Sequence, residues 1–148
     1  MAVTSNLAIL QHLEAQLKTI TTDNGYFNTV QSVDREYVER SYEQYPFIYI
    51  NDINDVYLRR ICKNLYVKGL EIQIVGFVFD DRTSATDPQL GTVLQRFKED
   101  IQTCLAADTY FNTSDLELQL VNIETEDDYV PPNASFVAIL HVQYFSEK

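Results

Sequence analysis

The residue types best suited to nucleophilic or metal chemistry in this chain are two histidines and two cysteines. His12 lies one position from the apolar stripe of a helix-like segment, and His141 lies in the last alternating segment. The spacings Cys-x-x-Cys, His-x-x-x-His and His-Glu-x-x-His do not occur, so the sequence predicts no dedicated zinc site. Cys104, His141 and a carboxylate would make a nucleophilic site only if the fold brought these isolated residues together.

The cysteines Cys62 and Cys104 are far apart, and each lies among apolar residues. Two isolated cysteines do not make a disulfide framework, so we expect both to be buried free thiols. The chain also lacks a glycine-rich phosphate loop and a Gly-x-Ser-x-Gly nucleophile elbow. These patterns predict a protein without catalytic residues, cofactor or metal, and a small enzyme that uses His141 is the least favoured interpretation.

Two charged clusters stand out. Four carboxylates within residues 124–128 offer oxygen ligands to a hard cation, but they lack the spacing of a calcium-binding loop. A solvated acidic loop is therefore the favoured interpretation of Glu124, Glu126, Asp127 and Asp128. Arg59 and Arg60, followed by Lys63 and Lys68, form the one basic concentration. This basic cluster is either a solvated patch or the complement of an acidic surface on another copy.

The net charge of −11, from 11 basic and 22 acidic residues, is concentrated in the second half of the chain. Residues 1–69 carry seven basic and eight acidic groups, a net charge of −1. Residues 70–148 carry four basic and fourteen acidic groups, a net charge of −10. Such a surface repels phosphate, which disfavours tight binding to nucleic acid or to an anionic membrane. It suits solubility, a basic partner, or the wall of a passage through which nucleic acid slides.

Tyrosine is frequent, with ten residues, of which seven crowd the first half of the chain. These seven are Tyr26, Tyr37, Tyr42, Tyr45, Tyr49, Tyr57 and Tyr66. Tyrosine is amphipathic and enriched at protein–protein interfaces, and a core of this size does not accommodate all of them comfortably. Together with patches of opposite charge, the tyrosines favour heterologous, ring-forming self-assembly.

A chain of 148 residues, 45% of them hydrophobic, has the size of one domain, so residues 1–148 are predicted to form a single domain. No signal-peptide pattern is present, and the longest apolar run, Ile72–Phe79, is too short to span a membrane, which predicts a cytosolic protein. The first element is a helix that is capped by Thr4 or Ser5 and ended by Asp23–Gly25, where glycine tolerates positive φ. Its apolar stripe is Leu7, Leu10, Leu13, Leu17 and Ile20.

The middle of the chain predicts strands. Three extended segments come first, at residues 26–30, 33–42 and 46–50. A polar turn at residues 51–55 follows, and residues 56–64 fit either a strand or a short helical turn. Residues 70–79 alternate with both faces apolar, which indicates a central strand that is covered on each side. Residues 80–88 form a polar loop.

The second half of the chain predicts a helix and two strands. The helix covers residues 89–107, with Asp87 as its cap and Pro88 at its first position, and its Glu99–Asp100 pair is expected to be solvated. Two strands close the chain, at residues 116–122 and 133–145. Residues 124–133 form a link too long for a tight hairpin. Strands in runs predict the α+β class, with a mainly antiparallel or mixed sheet flanked by two main helices.

Several local stretches, the length and the order of elements together carry a family resemblance. The stretches are Asn24–Tyr26 after the opening helix, Pro46–Ile50, Leu70–Gly76, the Val93–Leu105 helix, and Asp127–Tyr129 leading to Phe136–Tyr144. On these features the chain resembles the tail terminator, or tail-completion, proteins of long-tailed bacteriophages. The resemblance covers nearly the whole chain and includes no catalytic motif.

The resemblance implies a structural role in the virion, at the tail or neck, after assembly in the host cytoplasm. Such proteins form a hexameric ring that caps the tail tube, stops its growth and presents a surface to the head connector. DNA passes through the lumen of that ring, and acidic walls would let it slide. The alternatives are another neck or head–tail joining protein, and a cytosolic adaptor module that binds a basic partner.

Two predicted loops and the basic cluster are the candidate contact sites. Their length and polarity suggest that residues 80–88 and 124–133 contact neighbouring subunits or the tube, so that deleting Thr83–Thr86 should weaken assembly. The candidate interaction residues are Asp80, Asp81, Arg82, Arg59, Arg60, Asp127, Asp128 and Tyr129.

Overall fold

The computed structural model describes residues 4–35, 40–80, 89–108, 118–130 and 132–147. In chain order the main elements are α1 (Asn6–Leu17), β1 (Ser32–Asp34), β2 (Phe47–Cys62), β3 (Leu65–Phe79), α2 (Gln89–Ala107), β4 (Leu118–Val130) and β5 (Asn133–Glu147). The strands form one sheet in the order β1-β2-β3-β5-β4. The pair β1–β2 is parallel and the other pairs are antiparallel. A mixed sheet with two helices confirms the predicted α+β class.

Both helices pack on the same face of the sheet, and the hydrophobic core lies between the helices and that face. Strand alternation turns every second residue of β3 and β5 towards the helices. The buried sheet residues on this face include Ile48, Ile50, Leu70, Ile72, Ile74, Val78, Phe136, Ala138, Leu140 and Val142. The helices contribute Ile9, Leu10, Leu13, Leu17, Leu94, Phe97, Ile101, Cys104 and Leu105. The bounds predicted for the second helix agree with α2.

The opposite face of the sheet carries neither of the two described helices, and we call it the helix-free face. β3 is central, as predicted, and cover was expected on both of its faces, but neither described helix supplies it on this one. Aromatic side chains cover part of this face. Phe47 and Phe77 stack with ring centroids 4.7 Å apart, and Tyr45 meets Phe47 edge-on at 5.0 Å. Phe47 is 1% exposed, and the Arg40 guanidinium, with its Cζ 5.7 Å from the ring centroid, adds to this cover.

The first helix begins as predicted and ends earlier. The Ser5 hydroxyl caps α1 by accepting a hydrogen bond from the Ala8 N–H at 3.2 Å. The helix ends at Leu17, and Gly25 ends a separate 3-10 turn, where its φ of 90° is the predicted positive value. Leu7 was predicted to be on the buried stripe but is 54% exposed.

Strand β2 is continuous where a polar turn was predicted. Residues 51–55 pair with β3, and residues 56–62 continue the strand to a turn at Lys63–Asn64. Register shifts interrupt the pairing between Asp52 and Asn54, Tyr57 and Arg59, and Arg60 and Cys62. The prediction of a turn is wrong because polar residues are tolerated in a strand whose surroundings are solvent, and bulges absorb the irregular alternation.

Strand β4 runs through the acidic segment that was predicted to be a solvated link. Residues 124–130 pair with residues 133–139 of β5, so the connection between the two strands is short. The predicted long link is therefore wrong. An edge strand leaves one side of its backbone in water, and charged residues are common there.

The other two predicted extended segments form little sheet. Residues 26–30 make no strand; the Val30 N–H donates to the Ile20 carbonyl at 3.0 Å, and the chain is tied to α2 by side-chain hydrogen bonds. Within residues 33–42, the strand β1 ends at Asp34, and residues 36–39 lie outside the described residues.

Candidate interaction surfaces

Cys104 and His141 lie on opposite faces of the sheet, so the fold does not form the nucleophilic pair. Cys104 is buried on α2, and its thiol donates to the Gln16 carbonyl oxygen at 3.3 Å. Burial raises the pKa of the Cys104 thiol, which keeps it protonated and unreactive. His141 lies on the helix-free face, with its Nδ1 3.7 Å from Oε1 of Glu71.

The second cysteine, Cys62, is exposed, contrary to the prediction of a buried thiol. It is the last residue of β2 and lies at the tip of the β2–β3 hairpin. The apolar neighbours that suggested burial are themselves exposed there, because the hairpin tip extends beyond the core beneath the helices.

Two further carboxylates, Asp108 and Asp55, join elements of the fold. His12 Nε2 lies 2.7 Å from Oδ2 of Asp108, a carboxylate that is 3% exposed, and this pair ties α1 to the end of α2. Asp55 accepts hydrogen bonds from the Tyr144 hydroxyl at 2.9 Å, from Lys68 Nζ at 2.9 Å and from Asn6 Nδ2 at 3.0 Å. Each of these carboxylates is satisfied by partners within the chain, as buried charges require.

Strand alternation separates the acidic residues that were considered as a cation site. Asp127 lies opposite Phe136 on the face that carries the helices, and its Oδ1 is 2.8 Å from Lys98 Nζ. Glu126 and Asp128 point to the helix-free face. In the described parts of the chain, no group of three or more His, Cys, Asp or Glu residues is placed to hold a metal ion.

The distal half of β2, residues 51–62, forms an exposed apolar surface that we call the β2 edge. Five of the eight large exposed hydrophobic residues of the described chain lie on it: Ile53, Val56, Tyr57, Leu58 and Ile61. Only residues 47–49 of β2 pair with β1, and no other described strand pairs with the outer side of the rest. A strand with exposed apolar side chains and no described strand along its outer side is typical of an interaction site.

Arg59 and Arg60 lie on the β2 edge and are both exposed. Arg59 is opposite Val67, which places it on the helix-free face, and Arg60 is opposite Tyr66 on the other side. The two arginines of the predicted basic cluster thus lie on opposite faces of β2, among exposed apolar side chains, and Lys68 of that cluster binds Asp55 instead.

The sheet ends on its other side at the outer side of β4, which we call the β4 edge. Glu126, Asp127, Asp128 and Tyr129 are exposed there, and the Tyr129 ring is 50% exposed. No described strand pairs with this side of β4. The sheet thus ends in an apolar, arginine-bearing edge on one side and an acidic edge on the other.

Six of the eight predicted interaction residues fall within the described chain. Arg59 and Arg60 lie on the β2 edge, and Asp127, Asp128 and Tyr129 lie on the β4 edge. The structure does not bring these two groups together within one copy, since β3 and β5 separate them. The remaining predictions concern the segment after β3. Asp80 donates its N–H to the Pro132 carbonyl at 2.9 Å, whereas Asp81 and Arg82 lie outside the described residues.

Sequence reasoning missed the apolar members of the β2 edge. Ile53, Val56 and Ile61 are spaced irregularly among charges, so neither a period of two nor one of 3.6 is visible. The bulges in β2 explain the irregularity, because each adds a residue without changing the partner on β3. β-Branched and aromatic content in residues 53–61 was the available signal.

The described tyrosines differ in burial. Tyr144 is buried, and Tyr45 and Tyr49 are half-buried on the helix-free face. Tyr57 is 54% exposed beside Tyr66, with ring centroids 5.1 Å apart. Tyr37 lies outside the described residues.

Neither a scan against protein-family models nor a search of curated proteins finds a significant match to this chain. In the parts that the structure describes, no helix is both long enough and apolar enough to cross a bilayer.

Proposed function

We propose that this protein is a structural tail terminator of a long-tailed bacteriophage, which forms a ring on the tail tube and joins it to the head connector. The observation that carries the proposal is that one sheet has two edges of different chemistry along which no described strand pairs, one with exposed apolar side chains and two arginines near its end, the other acidic. The resemblance in length, element order and local stretches supports the same assignment.

Two different edges on one chain favour assembly in a closed ring. When a surface on one copy binds a different surface on the next, the contact is heterologous, and it generates a ring if the rotation closes. The same ring stops tube growth if only one of its faces fits a tube subunit. A geometric mechanism of this kind needs no catalytic residue.

The charge distribution supports a lumen through which DNA passes. Glu71, Glu126 and Asp128 lie on the helix-free face by register. Arg59 lies on the same face, where these three carboxylates outnumber it. If that face lines the lumen, its excess of carboxylates repels the phosphate backbone and prevents adhesion. The helices would then lie on the outside of the ring.

Light scattering after size exclusion, followed by a capping assay, tests the proposal. We expect a hexameric mass, or a ring that forms on tubes polymerised from tail-tube protein, and tubes that stop growing with the protein at one end in electron micrographs. The matched control is an equally acidic protein of similar size. Tubes that elongate unchanged and carry no cap would contradict the function. Deleting Thr83–Thr86 should weaken capping, and unchanged capping would remove that segment from the contact.

An adaptor that binds a basic partner is the second candidate, and the exposed acidic β4 edge favours it. An adaptor gives a monomer or dimer that binds a basic peptide and does not alter tube growth. A different neck protein gives a ring that binds the head connector without capping tubes. The same two measurements therefore separate the three roles.

A further inference from the structure

We propose that the β2 edge of one copy docks on the β4 edge of the next copy, so that the sheets of neighbouring subunits become continuous. This inference deepens the proposed function, on which it rests, because it names the surfaces through which the ring closes. It commits to a second copy of this chain as the occupant of both edges.

Strand direction is compatible with this contact. β2 is antiparallel to β3, β3 to β5, and β5 to β4, so β2 and β4 run in opposite directions within one sheet. A neighbour placed beside the sheet in a similar orientation presents its β2 antiparallel to β4. Antiparallel pairs make the straighter and more stable ladder of hydrogen bonds.

The short strand β1 limits where the neighbour can lie. It pairs with Phe47–Tyr49 and so occupies the outer side of β2 at its start. The neighbour's β4 must therefore lie along the later part of β2, towards the hairpin tip. That part of the strand carries Arg59, Arg60 and the exposed Ile61.

Charge complementarity selects the heterologous contact. Arg59 on β2 and Glu126 and Asp128 on β4 all lie on the helix-free face of their own copies. Within one copy they lie at opposite ends of the sheet, since Glu126 is level with Tyr49 and Arg59 is near the hairpin tip. Directly opposed residues of an antiparallel pair share a face, so a neighbour that is offset along the strands, with its acidic segment beside the hairpin tip, sets these charges of opposite sign side by side. Pairing β4 with β4 would set acid against acid, and pairing β2 with β2 would end at a dimer and leave the acidic edge uncovered.

The contact also accounts for the exposed apolar residues and for the bulges. A neighbouring strand would remove Val56, Leu58 and Ile61 from water. Burial of these apolar side chains favours association, to which solvent-exposed charge pairs contribute little. The bulges between Tyr57 and Arg59 and between Arg60 and Cys62 prevent a flat edge that would pair with any strand. Specific side chains then decide the partner.

Charge reversal on each edge tests the inference. The first variant is Arg59→Glu with Arg60→Glu, and the second is Glu126→Lys with Asp128→Lys. Light scattering measures the mass of each variant alone, of an equal mixture, and of the quadruple variant. The controls Glu14→Lys, in the last turn of α1, and Lys18→Glu, at its C-cap, reverse charges away from both edges. Circular dichroism checks that every variant is folded.

We expect each double variant alone to lose the oligomer and run as a monomer. The mixture should recover the wild-type mass, because each variant's altered edge complements the other's, and an even-numbered ring can alternate the two. The quadruple variant should recover it for the same reason, and the α1 controls should leave it unchanged.

Other outcomes overturn the inference. A hexamer that persists in both double variants would overturn the edge contact but would leave the proposed ring intact. Normal assembly of the Glu126→Lys and Asp128→Lys variant alone would indicate a β2–β2 dimer instead. A wild-type chain that stays monomeric also overturns it, and the capping assay then decides the function separately. If the wild type forms a dimer or an open chain rather than a closed ring, and the variants lose and recover that assembly, the edge contact is upheld and the ring is refuted.

Discussion

The Asp100 carboxylate on α2 accepts two hydrogen bonds from Asn28, one from its backbone N–H and one from its side-chain amide, both at 2.9 Å. It accepts a third from the Phe27 N–H, also at 2.9 Å. Asp100 is 2% exposed, so the prediction that it is solvated is wrong. This carboxylate holds the segment after α1 against α2 and replaces the strand hydrogen bonds that residues 26–30 do not make.

Replacing Asp100 with alanine is expected to lower the free energy of unfolding by about 3 kcal/mol, because two backbone donors and an amide lose a charged acceptor. Glu99→Ala is the matched control, since Glu99 is the exposed neighbour on the same helix and its loss should change stability by less than about 0.5 kcal/mol. Urea denaturation measures both. Equal effects of the two changes would show that Asp100 does not anchor the segment.

Gly76 is predicted to be intolerant of a side chain. A Cβ at this position would lie 2.5 Å from one ring carbon of Phe136 and 2.9 Å from one of Phe97. Both rings are buried, so Gly76→Ala should lower the free energy of unfolding by about 1–3 kcal/mol through overpacking. Gly91→Ala is the control, because nothing lies within 4 Å of its Cβ and alanine favours a helix. Thermal melting should show opposite shifts, and a neutral Gly76→Ala would contradict this packing.

The two cysteines are expected to differ in reactivity. Cys62 is exposed, whereas burial protects Cys104 and raises the pKa of its thiol, which reduces the reactive thiolate at any given pH. A maleimide reagent should therefore label one thiol quickly in dilute folded protein and the second only after unfolding. Cys62→Ser should remove the fast phase. Fast labelling that persists in Cys62→Ser would mean that Cys104 is accessible.

Tyr144 is expected to make stability fall at alkaline pH. Burial and the bonded Asp55 carboxylate raise the pKa of its hydroxyl above the ordinary value of about 10. The folded state thus holds this proton more tightly than the unfolded chain. Its contribution to stability is complete below about pH 10 and is lost as the pH rises through the folded-state pKa.

Tyr144→Phe tests this contribution at both pH ranges. At neutral pH it should lower the free energy of unfolding by about 1.5–3 kcal/mol, since a hydrogen bond to a charged group is lost. Above pH 10 the stability of the Tyr144→Phe variant should fall less steeply with rising pH than that of the wild type. Tyr129→Phe, at an exposed position, is the control and should behave as the wild type. Parallel pH profiles for wild type and Tyr144→Phe would contradict the assignment.

Elements with a clear period were predictable. The spacing of apolar residues predicted α2 within its observed bounds, and the alternation in residues 70–79 predicted the central strand. Long-range pairing was not predictable from local pattern. The polar segment 51–55 and the acidic segment 124–130 became strands because β3 and β5 offered them backbone partners, which outweighs a weak local preference.

The candidate surfaces were predictable in part. Arg59, Arg60, Asp127 and Asp128 were recognised as charged clusters because charge is visible residue by residue. Their places on opposite sides of the sheet follow from the strand order, which local sequence does not encode. The apolar residues around Arg59 were missed because bulges removed the alternation that marks a strand.

By itself the sequence determined the class of the fold, the acidic second half, and the lack of any recognised catalytic or zinc-binding spacing. Composition and periodicity decide these properties, since they depend on residue types and neighbours along the chain. The tertiary structure alone decided which carboxylates are buried, as in Asp100, and which apolar side chains remain exposed, as in Ile53 and Leu58. Burial depends on what folds over a residue, and segments that meet here are far apart along the chain, as are His12 and Asp108, 96 residues from each other.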